Sequence, residues 1–182
     1  MPLSYTKTTL REALSLILPD SRVFVHGGAA TPHALLKELA DQADRVKQLP
    51  LIHLHTEGRP PYVAPARKQH FRVVNLFVGA NLRSDLDYDR NDYLPCFLSE
   101  IPALFRSGAC PLDVALLHVS PPDRFGYCSL GASVDVAKAA AESAGILIAQ
   151  VNPQMPRVHG DGMLHVDLFD ALVEVDEPLP EA

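Results

Sequence analysis

Two turns in this sequence set reactive side chains beside residues that bend or stiffen the backbone. In the first, His26-Gly27-Gly28 closes a short apolar run from Arg22, and Thr31-Pro32 then reads as an N-cap with proline in the first helical position. An imidazole at the carboxyl end of a strand, ahead of the free amides of a helix start, suits an anionic ligand. A turn that needs glycine for its backbone alone accounts for the same residues, and neither G-x-G-x-x-G nor a phosphate-binding lysine is present. In the second, Ser120-Pro121-Pro122-Asp123 with Gly126 puts a hydroxyl and a carboxylate on a stiff loop. That suits the wall of a binding cleft, and it equally suits a plain turn.

Other candidates are weaker. His53 and His55 share one face of an expected strand, as two metal ligands would, but no third ligand stands at a metal spacing, so no metal site is expected. His159-Gly160-Asp161 and His165, in a loop and its following strand, lack the spacing of a nucleophile or a metal set, which leaves structural hydrogen bonding. Glu100, in Ser99-Glu100-Ile101-Pro102, is the best local carboxylate nucleophile, yet an acid in a helix's first turn commonly serves the helix dipole.

The elements that must position these residues follow from periodicity. Thr8 to Leu18 has helical spacing, Arg22 to His26 is a short buried strand, a helix runs from Pro32 to about Gln48, and Leu51 to His55 is the next strand. Strand, glycine turn, helix, strand is a βαβ unit with parallel strands. The pattern repeats with an apolar run at Val73 to Val78, a helix at Phe97 to Arg106 and a strand at Asp113 to Val119. A helix at Ser133 to Ser143, a strand at Ile146 to Val151 and a last strand at Ala171 to Val175 complete it. The expected fold is α/β, a mostly parallel sheet with helices on both faces. Thr56 to Arg72 and Ser120 to Gly131 are irregular enough to be functional loops. Residues 1–175 form one domain in this reading, and the acidic, proline-broken 176–182 starts an interdomain linker, the second domain being absent.

Composition narrows the function. In 182 residues, 47% are hydrophobic, which is enough for a sizeable core, and the formal charge of -6 disfavours nucleic acid or an anionic membrane as partner. Cys96, Cys110 and Cys128 are odd in number with no C-x-x-C pair, so a reducing cytoplasm is expected. The polar start, Met1 to Lys7, and the lack of a long apolar stretch indicate neither secretion nor a membrane anchor.

Longer motifs carry a resemblance. His26-Gly27-Gly28 with Pro32, His55-Thr56-x-Gly58, Pro61-Tyr62, His70-Phe71-Arg72 and Phe77-Val78-Gly79 come first. Pro95-x-Phe97-Leu98-x-Glu100-Ile101-Pro102 and Asp113-Val114-Ala115-Leu116 come next. Val119-Ser120-Pro121-Pro122-Asp123-x-x-Gly126-Tyr127-Cys128-Ser129-Leu130-Gly131 and Gln150-Val151-Asn152-x-x-Met155-Pro156-Arg157-x-x-Gly160-Asp161 end the series. In this order they resemble the amino-terminal domain of acetyl-CoA hydrolases/transferases, nearest the 4-hydroxybutyrate CoA-transferase branch. One departure is Asp89-Arg90-Asn91-Asp92-Tyr93, where relatives have glycine before the arginine and alanine after it.

The resemblance implies a two-domain enzyme with its active site in the cleft between the domains. CoA would pass between an acyl-CoA and acetate, butyrate or 4-hydroxybutyrate through a glutamyl-CoA thioester, with the glutamate in the second domain. No catalytic residue would then lie in this chain, which would be inactive alone; coenzyme A would be a substrate, no cofactor would be tightly bound, and the full-length protein would be a homodimer. The implied substrate-binding residues are His26, Gly27, Ser120, Pro121, Pro122, Asp123, Asn152, Met155 and Pro156. Two rivals stand beside this: a stand-alone α/β module that binds a nucleotide or CoA, and a non-catalytic interaction subunit.

Overall fold

The computed structural model describes residues 5–84, 87 and 89–181; residues 1–4 of the polar start and Ala182 of the tail lie outside them. Among the described residues the strands are β1 (Val23–Val25), β2 (Leu49–His53), β3 (Phe71–Asn75), β4 (Asn91–Tyr93), β5 (Val114–Val119), β6 (Tyr127–Ser129), β7 (Ile146–Val151), β8 (Met163–His165) and β9 (Ala171–Glu174). The helices are α1 (Leu10–Leu14), α2 (His33–Asp41), α3 (Ile101–Arg106) and α4 (Ala137–Ser143). None is long and apolar enough to cross a membrane.

Seven strands form one parallel sheet in the order β4-β3-β2-β1-β5-β7-β9, and β6 pairs with β8 in a separate antiparallel ribbon. Side chains alternate across a strand, and here both faces are apolar, as a sheet covered on both sides requires. Val23, Val25, Val114, Leu116 and Ile148 face one cluster with α1 and α2 residues such as Leu14, Leu35 and Leu39. Phe24, Ala115, Leu117, Leu147 and Ala149 face the other, with Phe105 of α3 and Ala137 and Ala140 of α4. The Phe24 and Phe105 rings meet edge to face at 5.8 Å. The expected α/β fold with helices on both faces is therefore the fold observed.

Element boundaries differ from the expected ones for local reasons. The first helix is only Leu10–Leu14, begun by reciprocal bonds between Thr9 and Glu12. The second ends at Asp41 in place of Gln48, because β2 begins at Leu49 and pairs with β3 from its first residue. Pro50 is tolerated in β2 because β1 joins it only from Leu51 onward, so the proline lies where that side of the strand is unpaired. The helix expected from Ser133 starts at Ala137, since Asp135 turns back to accept the Val136 and Ala137 backbone N–H groups. Two short strands, β4 and β6, were not expected, whereas β8 is the strand expected to carry His165. The departure at Asp89 to Tyr93 is where the chain turns on the Asp87 carbonyl and enters edge strand β4.

Replacing Phe24 by alanine, which removes a ring fully buried between sheet and α3, is expected to lower unfolding stability by about 3–5 kcal/mol, read from urea denaturation.

Candidate active site at the strand-order reversal

From β1 the chain proceeds outward through β2, β3 and β4, and from β5 it proceeds the other way through β7 and β9. Open α/β sheets hold ligands in the crevice outside the carboxyl ends of the two strands where the direction reverses. The loops lying there are His26-Gly27-Gly28 after β1 and Ser120 to Asp123 after β5.

His26 is at the crevice but fully buried. Its Nδ1 accepts the His118 backbone N–H at 3.2 Å, and its Nε2 lies on the Ser133 carbonyl. A nitrogen that accepts carries no proton, so the ring is the neutral tautomer with hydrogen on Nε2, donating to Ser133. Burial pushes its pKa below the ordinary value, with Asp135 only partly opposing. Gly28 N–H donates to the His55 carbonyl at 3.0 Å, and a Cβ on Gly27 would sit 2.5 Å from that oxygen, so this close approach of two loops requires glycine.

His118, on the opposite side of the sheet from His26, begins a second network. Its Nε2 is approached by the amide nitrogens of Gln150 at 3.3 Å and Asn152 at 3.1 Å. The Gln150 oxygen is already committed to the Ala34 and Leu35 N–H groups at the start of α2, so its nitrogen is the donor and His118 Nε2 the acceptor. The His118 proton is thus on Nδ1, which lacks a hydrogen-bond partner among the described residues; the nearby Ala30 and Thr31 backbone only partly offsets its burial. Burial, with the neighbouring His26, lowers the His118 pKa to about 4.

The second loop is held by its own polar groups. Ser120 is buried, its hydroxyl accepting the Ser129 N–H at 2.9 Å and donating to the Pro121 carbonyl. Asp123 accepts the Phe125 and Tyr127 N–H groups and the Arg157 guanidinium at 2.8, 2.9 and 2.6 Å, which together hold its carboxyl below the usual range. Met155 is buried beneath the loop before α4; its sulfur accepts the Ala132 N–H at 3.4 Å and presses on Gly131, whose φ of 66° and missing Cβ permit the contact. Asn152 is buried under the chain's last described segment. Pro121 and Pro156 are exposed and Pro122 half-buried. All nine expected residues thus come from loops or strand ends at this edge of the sheet, but His26, Ser120, Asp123, Asn152 and Met155 spend their polar or bulky ends inside the chain.

The other candidates disperse. β2 ends at His53, whose buried ring contacts the Tyr62 hydroxyl at 3.1 Å, and burial with neighbouring His55 lowers its pKa to about 4. His55 lies past the strand, beside Phe77 and 3.7 Å from Glu57, so the two rings do not share a strand face as expected. Among the described residues no group of three or more His, Cys, Asp or Glu is placed to hold a metal. Glu100 accepts the Phe97 N–H at its own helix start, and His165 bonds the Phe125 carbonyl. Burial pushes the Cys128 thiol up to about 12, which makes it a poor nucleophile at neutral pH. Sequence reasoning gave no role to His118 or His33, although a histidine inside the apolar run of β5 was a usable signal.

With this geometry in view, comparison with known proteins is decisive. The model of the acetyl-CoA hydrolase/transferase N-terminal domain matches residues 3–180. The chain belongs to the acetyl-CoA hydrolase/transferase family. A succinyl-CoA:acetate/propanoyl-CoA:succinate CoA transferase of Fasciola hepatica is 44% identical over 172 residues, which are 93% of this chain and 36% of that protein. A 4-hydroxybutyrate coenzyme A transferase of Clostridium kluyveri is 42% identical over 173 residues, 95% of this chain and 40% of that one. Among solved structures, RipA from Yersinia pestis superposes with a TM-score of 0.88 at 32% identity, over 96% of this chain and 43% of RipA. A 4-hydroxybutyrate CoA-transferase from Porphyromonas gingivalis gives 0.80 at 32%, over 96% and 40%. This member of the family therefore spans well under half the length of the relatives it matches.

The buried histidines set a pH dependence. Unfolded imidazoles take up a proton near 6.5, whereas folded His53 and His118 resist until about 4, so between these values the unfolded state binds more protons and stability falls as pH falls. From pH 7 to 5 each should cost on the order of 2 kcal/mol. Urea midpoints at pH 7, 6 and 5 should decline accordingly; a constant midpoint would contradict the neutral burial of these rings.

Proposed function

We propose that this domain forms one wall of the active cleft of a CoA transferase that moves CoA between an acyl-CoA and a small carboxylic acid such as acetate, butyrate or 4-hydroxybutyrate. The observation that carries the reading is the family match over residues 3–180, together with a crevice at the strand-order reversal. The relatives' names give succinyl-CoA with acetate, and 4-hydroxybutyrate, as what those proteins act on.

In the proposed reaction a glutamate carboxylate from the second domain attacks the acyl-CoA carbonyl and expels the CoA thiolate, leaving a mixed anhydride. The thiolate attacks the glutamyl carbonyl and releases the donor carboxylate, leaving a glutamyl-CoA thioester. An incoming carboxylate reverses both steps and restores the glutamate, so one difficult exchange becomes several easier ones. CoA is a substrate here, no tightly bound cofactor is needed, and the complete enzyme is a homodimer in the cytoplasm, a reducing compartment that suits the free cysteines Cys96, Cys110 and Cys128.

This chain's part is to shape the cleft. Pro121, Pro122 and Pro156 form its stiff rim, and Gly27 lets the turn after β1 close against the His55 carbonyl behind it. His26, Ser120, Asp123 and Met155 keep those loops in place from behind, so they act on the substrate through the loops.

The test is acyl transfer from acetyl-CoA to 4-hydroxybutyrate by this chain alone and with a carboxyl-terminal CoA-transferase domain added. Transfer only in the mixture is expected. Turnover by the chain alone would place the nucleophile within these residues, and no transfer in either sample would remove the transferase reading.

A further inference from the structure

After β9 the chain does not leave the sheet. Val175 N–H bonds the Val151 carbonyl, Asp176 accepts from the Gln154 amide at 2.7 Å, and Glu177 comes to rest on the polar ends of β7. There the Gln150 amide donates to the Glu177 carboxylate at 2.6 Å, and the Asn152 amide donates to the Glu177 main-chain carbonyl at 2.7 Å. Gln150 and Asn152 are both fully buried, yet what covers them is a half-buried glutamate in an acidic, proline-broken segment.

The donors are built to face outward. Each amide spends one N–H on the same acceptor, His118 Nε2, which makes them neighbours and leaves one N–H apiece directed at the segment above. The Gln150 oxygen accepts two N–H groups at the start of α2, which fixes the amide's orientation and polarises its remaining N–H. Two fixed, adjacent N–H groups match the two oxygens of one carboxylate. Half-buried His33 stands close enough for the Glu177 charge to favour its protonation against burial.

We propose that the Asp176–Pro180 segment is a displaceable strap, and that the Gln150 and Asn152 amides beneath it form a binding site for a small carboxylate, which Glu177 fills from within the chain. With the strap lifted, an external acid takes both N–H groups; with it closed, the acid must displace an intramolecular competitor. The site deepens the transferase reading by naming where an acceptor acid docks, but its occupancy needs no CoA and no second domain.

The experiment is a butyrate titration of the isotope-labelled 182-residue chain, following the Gln150 and Asn152 side-chain amides and the His33 ring by NMR. Sodium chloride at matched ionic strength is the control, and the melting temperature of each variant is the check on folding. Glu177→Ala, which frees the Gln150 N–H and leaves the acid only the main-chain carbonyl on Asn152 to displace, should bind butyrate about tenfold more tightly than the wild-type chain, the gain expected when a side-chain competitor bound roughly nine-tenths of the time is removed. Butyrate should move the variant's Gln150 signal back toward its wild-type position and raise the His33 pKa. Glu177→Gln, which keeps the strap's hydrogen bond without its charge, should lower the His33 pKa and bind butyrate between the two. Equal affinity in wild type and Glu177→Ala, no butyrate shift at Gln150, or the same shift with chloride would overturn the proposal. Since CoA is absent, a failed transfer assay and a failed titration remain separate results.

Discussion

Two imidazoles kept neutral by burial, His26 and His118, tie together the ends of β1, β5 and β7, the loop before α4 and the segment after β9 at the strand-order reversal. The His118 backbone donates to His26 and His26 donates to Ser133, which anchors the loop before α4 to the end of β1. The His118 ring gathers Gln150 and Asn152, and through them the start of α2 and the segment after β9. A protonated ring could not accept at either of these positions, and a charge buried there without a counter-ion would be costly. Neutrality is thus what allows the crevice to have one fixed shape.

From this constraint follows a division of labour. His26, Ser120 and Asp123 spend their polar atoms on partners within the chain, while Pro121 and Pro156 stand exposed at the rim. A crevice walled in this way is stiff. The Asp123–Arg157 pair and the Met155–Gly131 contact serve the same end by bracing the hairpin of β6 and the loop beside it.

The layering was legible from the sequence because strands such as Val114 to Val119 are apolar on both faces, which only a doubly covered parallel sheet satisfies. The two loops at the reversal were legible as well, since strand ends followed by Gly27-Gly28 or Pro121-Pro122 flank it. Boundaries were not, because they are set by partners distant in sequence: β3 fixes where β2 begins, and Asp135 delays α4. The three-residue strands β4 and β6 have no periodicity long enough to detect, and β6 exists only because β8 pairs with it. The direction of the site's side chains was hidden for the same reason. Whether His26 meets substrate or Ser133 depends on a carbonyl more than a hundred positions away in the chain.

The most direct test of this account is the protonation of the two rings, read from imidazole nitrogen shifts and couplings in the labelled chain at pH 7. The account predicts two neutral, non-exchanging tautomers, with hydrogen on Nε2 of His26 and on Nδ1 of His118. A charged ring at either position, or rapid averaging between tautomers, would mean that the crevice is not held by these bonds.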